Sequence, residues 1–129
     1  DAEVLVSLIS RGVVPVMAPL THDGEGNMLN TNADTIAGET AKALAEAFDV
    51  TLIYCFEKKG VLRDAEDEDS VIPVITPDLF KKYVDEGVIQ GGMIPKLENS
   101  FSAVEAGVSQ VVITLASAID GKSGSIIKK

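Results

Sequence analysis

Residues 34–56, DTIAGETAKALAEAFDVTLIYCF, place one helical pattern directly before one strand pattern. Apolar side chains recur at three- and four-residue steps from Ile36 to Phe48, and charged side chains fall on the opposite face, so a helix is predicted over residues 34–48. The largely apolar run over residues 50–56 then predicts a buried strand. A helix followed at once by a buried strand is typical of an α/β protein.

The same alternation extends to both sides of this unit. Upstream, the apolar run over residues 13–20 predicts a strand buried on both faces of a parallel sheet. Downstream, Thr76, Pro77 and Asp78 fit the N-cap, first position and first turn of a helix. We therefore expect an α/β sandwich with a mostly parallel sheet, whose ligands bind beyond the carboxyl ends of the strands. The remaining predicted segments are a helix ending at Gly12, a surface loop over 63–70, an extended piece over 71–75, a short glycine-bearing strand over 88–93, a helix from about Pro95, a strand over 108–115 and a closing hairpin over 120–127.

The bulk composition restricts the classes of function that remain open. The chain has 129 residues, enough for one domain, and a net charge of -9 from 11 basic and 20 acidic residues. This charge argues against nucleic acid or an anionic membrane as the main partner. Cys55 is the only cysteine, so no intramolecular disulfide is possible. No apolar run approaches the roughly 20 residues that cross a bilayer, and a soluble cytoplasmic protein is expected. Because the sequence opens inside a helical pattern, we also expect it to be the middle of a longer polypeptide.

The first candidate site motif lies directly before the helix of residues 34–48. Asn30, Asn32 and Asp34 offer amides and a carboxylate where free backbone N–H groups and a partial positive charge are expected. Asparagine side chains donate to a carboxylate and accept from an amide at once, which suits an acylated amino acid. Asp34 is placed to orient a lysine across the site. The alternative is that Asn32 or Asp34 only caps the helix.

The second candidate motif is Gly-Gly-Met-Ile-Pro-Lys, residues 91–96. Gly91 and Gly92 allow backbone amides to approach a phosphate, and the helix start that follows adds its dipole. Lys96 stands in the first helical turn, which disfavours a cation by about a few tenths of a kcal/mol, and a bound anion would relieve this conflict. The two motifs together predict a phosphoryl-transfer site, with one holding the acceptor and the other the nucleotide phosphates. The alternative for Lys96 is a solvated side chain beside a glycine turn.

Two further motifs fail their structural requirements. Residues 121–123, Gly-Lys-Ser, resemble the end of a phosphate-binding loop, but Ala116 stands where that loop requires its earlier glycine. His22 is the only histidine, and its spacing from the neighbouring acidic residues matches no common metal site. We therefore assign no metal-ligating residues.

The two motifs resemble those of the amino-acid kinase family. Residues 30–39 resemble the Asn-x-Asn-Ala-Asp signature of the members that phosphorylate acylated glutamate, and residues 87–96 resemble the second signature of the family. Residues 52–62 lie where the family has its nucleotide-contacting strand and turn. The resemblance covers nearly the whole chain in order. It implies a three-layer α/β sandwich with a mostly parallel central sheet, the amino-acid kinase (carbamate kinase-like) fold, incomplete in this chain.

The resemblance also implies an activity and a role for individual residues. The activity is ATP-dependent phosphorylation of the γ-carboxylate of N-acetyl-L-glutamate or another N-acylglutamate, towards arginine, with Mg²⁺ accompanying ATP. Lys96 would stabilise charge on the transferring phosphoryl group, and Asp34 would hold the catalytic lysines. Residues 1–48 would end the lobe that binds the acylamino acid, and residues 49–129 would form the nucleotide-binding lobe. The implied substrate-binding residues are Asn30, Asn32 and Ala33, and the implied nucleotide-binding residues are Glu57, Lys58, Gly60, Leu62, Val88, Ile89, Gln90, Gly91 and Gly92.

The chain departs from the family pattern in two respects. Glu57 stands where the family usually has aspartate. The chain is also about half the family length, and the half with the glycine-rich phosphate loop and another catalytic lysine has no counterpart here. We therefore expect this chain alone to be nearly inactive. The resemblance further implies small-molecule partners and a homo-oligomer. The alternatives are an amino-acid kinase with a different acceptor, or a non-catalytic binding or regulatory module derived from the fold.

Overall fold

The computed structural model describes residues 1–129 and contains four helices and six strands. Helices and strands alternate along much of the chain, as the sequence predicts. In chain order the elements are α1 (Ala2–Ser10), β1 (Leu20–His22), β2 (Met28–Asn30), α2 (Ala33–Leu44), β3 (Thr51–Phe56), β4 (Val74–Ile75), α3 (Pro77–Asp85), α4 (Met93–Glu105), β5 (Gln110–Leu115) and β6 (Ser125–Ile127).

Four of the strands form one mixed sheet in the order β3-β5-β6-β4. Strands β3 and β5 run parallel over their whole length, from Thr51 beside Gln110 to Phe56 beside Leu115. Strand β6 runs antiparallel to β5 and parallel to β4. The closing hairpin is confirmed, because β6 returns along β5 after a turn over residues 120–124.

The core lies at the centre of this sheet and under helix α4. Strand β5 is buried over residues 111–114, and Leu97 of α4 is fully buried among the same apolar side chains. The side chains of strand β3 alternate in burial. Leu52 and Tyr54 face the core, whereas Thr51 and Cys55 are exposed. This alternation follows from the period of two in a strand, and it leaves only one face of β3 buried. None of the four helices combines the length and apolar character that a bilayer crossing requires.

The strand predicted over residues 13–20 is wrong. Residues 13–18 have no regular structure, and Val14 and Val16 are 83% and 94% exposed. Pro15 and Pro19 have no N–H to donate to a sheet, and no strand of this chain pairs with the segment. Only Leu20 enters a strand, β1, which pairs with β2 in a separate two-stranded hairpin.

The extended piece predicted over residues 88–93 is also wrong. Gly87 ends the turn after α3 with φ of 70°, and the N–H groups of Val88 and Ile89 donate to the carbonyl of Tyr83. Helix α4 then begins at Met93, two residues before the predicted start. Pro95 is compatible with this start because the first N–H groups of a helix have no intrahelical acceptor. The second motif therefore joins two helices, whereas the sequence predicts a strand before it.

Candidate functional site

The first motif connects the end of the β1–β2 hairpin to the start of α2. Asn32 is the N-cap of α2, and its Oδ1 accepts a hydrogen bond from Thr35 N at 3.1 Å. Asn30 ends β2, where it pairs with Leu20. Asn30, Asn32 and Ala33 are all exposed. The prediction that this motif directly precedes a helix is confirmed, whereas strand β2 before it was not predicted and lies outside the main sheet.

An ion pair joins the two motifs. Lys96 Nζ lies 2.9 Å from Asp34 Oδ2, and the two side chains are 19% and 40% exposed. The same Nζ lies 3.7 Å from the centroid of the Phe56 ring, at the end of β3. The starts of α2 and α4 and the carboxyl end of β3 therefore meet at one point. The structure places Asp34 where the sequence predicts a residue that orients a lysine.

Tyr54 fixes Asp34 from the side of the sheet. Its hydroxyl donates to the backbone carbonyl of Asp34 at 3.2 Å, and its ring lies 5.6 Å from Lys96 Nζ. Burial raises the pKa of the Tyr54 hydroxyl, and the nearby Asp34 carboxylate raises it further. Tyr54 therefore stays neutral and keeps donating its proton. Sequence reasoning missed Tyr54 and Phe56 as site residues, although the alternation along β3 already places both on one face.

A cleft of about 620 Å³ begins at Phe56, beside this ion pair. One wall is the connection from β3 towards β4, and the other is the connection between α3 and α4. Six of the residues predicted to bind nucleotide line it: Lys58, Gly60, Leu62, Val88, Ile89 and Gln90. The other three, Glu57, Gly91 and Gly92, lie outside the lining. The lining residues that sequence reasoning missed are Phe56, Val61, Arg63, Asp64, Ala65, Gly87 and Met93.

A buried serine holds the first wall of the cleft in place. Ser125 Oγ donates to Ile72 O at 2.6 Å and accepts from Val61 N at 2.9 Å. Gly60 packs against the same hydroxyl so closely that an added Cβ would lie 2.8 Å from Oγ. The close approach explains the requirement for glycine in this turn. No sequence signal identified Ser125, because it is 64 residues from Val61.

Acidic side chains of the loop over residues 63–70 face two lysines at the turn beside the cleft. Lys59 Nζ lies 2.7 Å from Asp69 Oδ1, and Lys58 Nζ lies 4.0 Å from Glu68 Oε1. The hydrogen bond to Asp69 raises the pKa of Lys59, and the same contact lowers the pKa of Asp69. All four side chains are exposed, so the predicted surface loop is confirmed. Lys58 has the weaker of these two contacts and is available to an anion in the cleft.

A second hollow, of about 330 Å³, lies along the outer edge of β3. It is bordered by Met17, Pro19 and one face of α2, and no ionisable side chain lines it. Its polar side chains are Thr40 and Thr51, so the hollow offers hydroxyl groups but no charged acid, base or phosphate ligand.

The two motifs set aside in the sequence form ordinary turns. The Asp120 carboxylate accepts from the backbone N–H groups of Lys122 and Ser123 and from Ser123 Oγ. These bonds, the one from the Ser123 hydroxyl first, lower the pKa of Asp120 to about 2. His22 Nδ1 accepts from Gly24 N in the turn of the β1–β2 hairpin. In both segments the side chains form hydrogen bonds within their own turn.

The fold and the site define an α/β protein that presents a lysine–carboxylate pair at the opening of a cleft suited to a small anionic ligand. The sequence model of the amino acid kinase family matches residues 1–115, and the chain belongs to this family. The family and the fold predicted from the two motifs are therefore confirmed.

Relatives with known names agree with this assignment. The chain is 77% identical over all 129 residues to a protein of Phocaeicola vulgatus named acetylglutamate kinase, and 74% identical over the same length to one of Bacteroides thetaiotaomicron with the same name. It covers 50% of each, and so spans about half the length of the curated relatives it matches.

A solved structure supports the fold alone. N-acetylglutamate synthase from Neisseria gonorrhoeae, complexed with coenzyme A and N-acetyl-glutamate, superposes with a TM-score of 0.83 at 19% identity. The match covers all of this chain and 31% of that one. Identity at this level carries no assignment of substrate.

Proposed function

We propose that this chain is part of an ATP-dependent kinase that phosphorylates the γ-carboxylate of N-acetyl-L-glutamate or another N-acylglutamate, a step towards arginine. The observation that carries the proposal is the Lys96–Asp34 ion pair at the opening of the cleft. The names of the relatives support the choice of acceptor. A carboxylate oxygen of the acceptor would attack the γ-phosphorus of ATP, the bond to the β-phosphate oxygen would break, and an acyl phosphate and ADP would result.

Lys96 supplies the charge that this reaction needs. Phosphoryl transfer depends on positioning and on electrostatic stabilisation of the equatorial oxygens. Lys96 Nζ is held by Asp34 on one side and by the face of Phe56 on the other, so its charge is fixed before a substrate arrives. Asp34 is thus a positioning residue. No group of three or more side chains could hold a metal ion, so Mg²⁺ would be held by the phosphates of the nucleotide.

The two residues of the ion pair belong to different proposed lobes: Asp34 lies in residues 1–48, and Lys96 lies in residues 49–129. Residues 49–129 include all of the residues that line the cleft and form the proposed nucleotide lobe. Residues 1–48 include Asn30, Asn32 and Ala33, whose exposed side chains at the start of α2 would meet the acylglutamate. Asn32 uses only its Oδ1 in the helix cap, and its amide N–H₂ group is available to donate to an acceptor carboxylate.

The proposed partners are small molecules and further copies of the same protein. The net charge of -9 disfavours nucleic acid and anionic membranes. The cationic groups at the site, Lys58, Arg63 and Lys96, provide a local excess of positive charge that suits a small anion. A cytoplasmic location and a homo-oligomer stay predictions of the sequence.

A calorimetric titration of the 129-residue chain with Mg·ADP tests the nucleotide part of the proposal. We expect saturable binding that Lys96→Ala weakens. Lys81→Ala is the matched control, because Lys81 is an exposed lysine of α3 that forms no ion pair. Binding that Lys96→Ala and Lys81→Ala leave equally strong would contradict the assigned role of Lys96.

A further inference from the structure

We propose that Arg63 binds the base of the nucleotide, by laying the flat face of its guanidinium against the ring in the cleft that begins at Phe56. The inference rests on the proposed function and adds a residue that neither the motifs nor the resemblance assigns. Arg63 lines the cleft but contributes to no ion pair of the structure. It is therefore a cation without an anionic partner in a chain whose net charge is -9.

Tyr83 fixes the guanidinium of Arg63 in one place. Arg63 Nη2 donates to the Tyr83 hydroxyl at 3.0 Å, and its Cζ lies 5.4 Å from the centroid of the Tyr83 ring. Tyr83 is only 6% exposed and belongs to the core. A long, flexible side chain is thus anchored at its tip to a rigid residue, and less of its conformational freedom remains to be lost when a ligand binds.

The same tyrosine also holds the opposite wall of the cleft. Its backbone carbonyl accepts from the N–H groups of Val88 and Ile89, two residues that line that wall. Arg63 comes from the first wall, so the Arg63–Tyr83 contact bridges the cleft. Arg63 is thus held on the cleft lining, where a ligand can contact it.

The orientation of the ligand follows from the position of the two kinds of cation. Phe56 lines the cleft and its ring contacts Lys96, so we assign the phosphates to the Phe56 end. The Arg63 side chain contacts Tyr83 and has no contact with the Lys96–Asp34 pair, so we assign it to the base and not to the phosphates. A guanidinium is planar, stacks on aromatic rings and keeps unused N–H donors for ring nitrogens or ribose hydroxyls.

Comparing two ligands that differ only in the base and sugar tests the assignment. The full 129-residue chain is titrated with Mg·ADP and with Mg·pyrophosphate, for the wild type, Arg63→Ala and Arg63→Lys. We expect both substitutions to weaken ADP binding at least about tenfold, the loss typical of one stacked base, and to leave pyrophosphate binding within about twofold. Arg63→Lys keeps the charge and loses the plane, so it separates stacking from simple attraction. Tyr83→Phe, which removes the acceptor that holds Arg63, should weaken ADP binding by a smaller factor.

Arg11→Ala is the matched control, because Arg11 is the other arginine and lies exposed at the end of α1. Urea unfolding of each variant verifies that it folds. The proposal is overturned if ADP binding survives both Arg63 substitutions, or if ADP and pyrophosphate lose equal factors, which would make Arg63 a phosphate ligand. If the wild type binds neither ligand, the proposal that residues 49–129 form a nucleotide lobe fails, and this inference fails with it. If the wild type binds ADP but Arg63 variants match Arg11→Ala, only the inference fails.

Discussion

Lys96 carries its positive charge in the first turn of α4, where the helix dipole disfavours a cation. Asp34 and the ring of Phe56 offset this disadvantage at distances of 2.9 Å and 3.7 Å. The Asp34 side chain is 40% exposed, and a partly solvated ion pair contributes little to folding. We therefore expect the pair to contribute little to stability, and its role under the proposed function is to position Lys96.

A double-mutant cycle on this pair separates the two explanations. We expect Asp34→Asn and Lys96→Met to show a coupling energy of at most about 1 kcal/mol in urea unfolding, because water screens the pair. A coupling of about 3 kcal/mol or more, the range of a buried pair, would instead make the contact a structural one.

Ser125 contributes to stability without contacting any substrate. Ser125→Ala should lower the free energy of unfolding by about 1–3 kcal/mol, because Val61 N–H would lose its buried acceptor. Ser102→Ala, at an exposed position of α4, is the control and should change stability by less than about 0.5 kcal/mol. Equal urea midpoints for the two variants would show that the Ser125 hydrogen bonds do not hold the cleft wall.

At the scale of elements, the sequence was sufficient to predict a helix or strand whose position depends on its own capping residues or apolar pattern. Thr76 caps α3 by accepting from Leu79 N at 3.4 Å, with Pro77 as the first helical residue, as predicted. Strands β3 and β5 pair in register near their predicted positions. The prediction failed for residues 13–20, where an apolar run alone cannot show whether a partner strand is present.

The candidate site also contains features that local sequence predicts and features that it does not. The types of Asp34 and Lys96 and their helix starts were readable from local sequence, as was the glycine turn at Gly60. Contacts that bring distant residues together were not readable: the Phe56 ring under Lys96 and the Arg63–Tyr83 contact both depend on tertiary packing. A sequence gives the residue types at an element's end, whereas the side chains facing it are set by the rest of the fold.

The stability that the Asp120 hydrogen bonds give to the turn between β5 and β6 should depend on pH. The pKa of Asp120 is lowered from 3.8 to about 2 in the folded chain. A lowered pKa means that the carboxylate stabilises the fold above its ordinary pKa, and that this contribution is lost as the pH falls towards about 2. The difference in urea midpoint between the wild type and Asp120→Ala should therefore shrink between about pH 5 and pH 2. A difference that stays constant over this range would contradict the assigned hydrogen bonds.

At the scale of the whole molecule, the chain spans about half the length of its acetylglutamate kinase relatives. The resemblance to the family implies a phosphate loop and a second lysine in the half that this chain does not match. Loss of one cationic group at a phosphoryl-transfer site typically lowers the rate by about 10³–10⁵. The isolated 129-residue chain should therefore form acyl phosphate at least about 10³ times more slowly than the Phocaeicola vulgatus relative. A comparable rate would mean that this chain contains a complete active site.

The most direct test replaces the matching segment of that relative with this chain, which is 77% identical to it, and measures ADP release with N-acetyl-L-glutamate as acceptor. We expect the chimera to be active, Lys81→Ala to leave its rate unchanged, and Lys96→Ala to reduce kcat by about 10³ or more. A folded chimera without activity, or one that keeps its full rate with Lys96→Ala, would contradict the assignment of this chain to the kinase site.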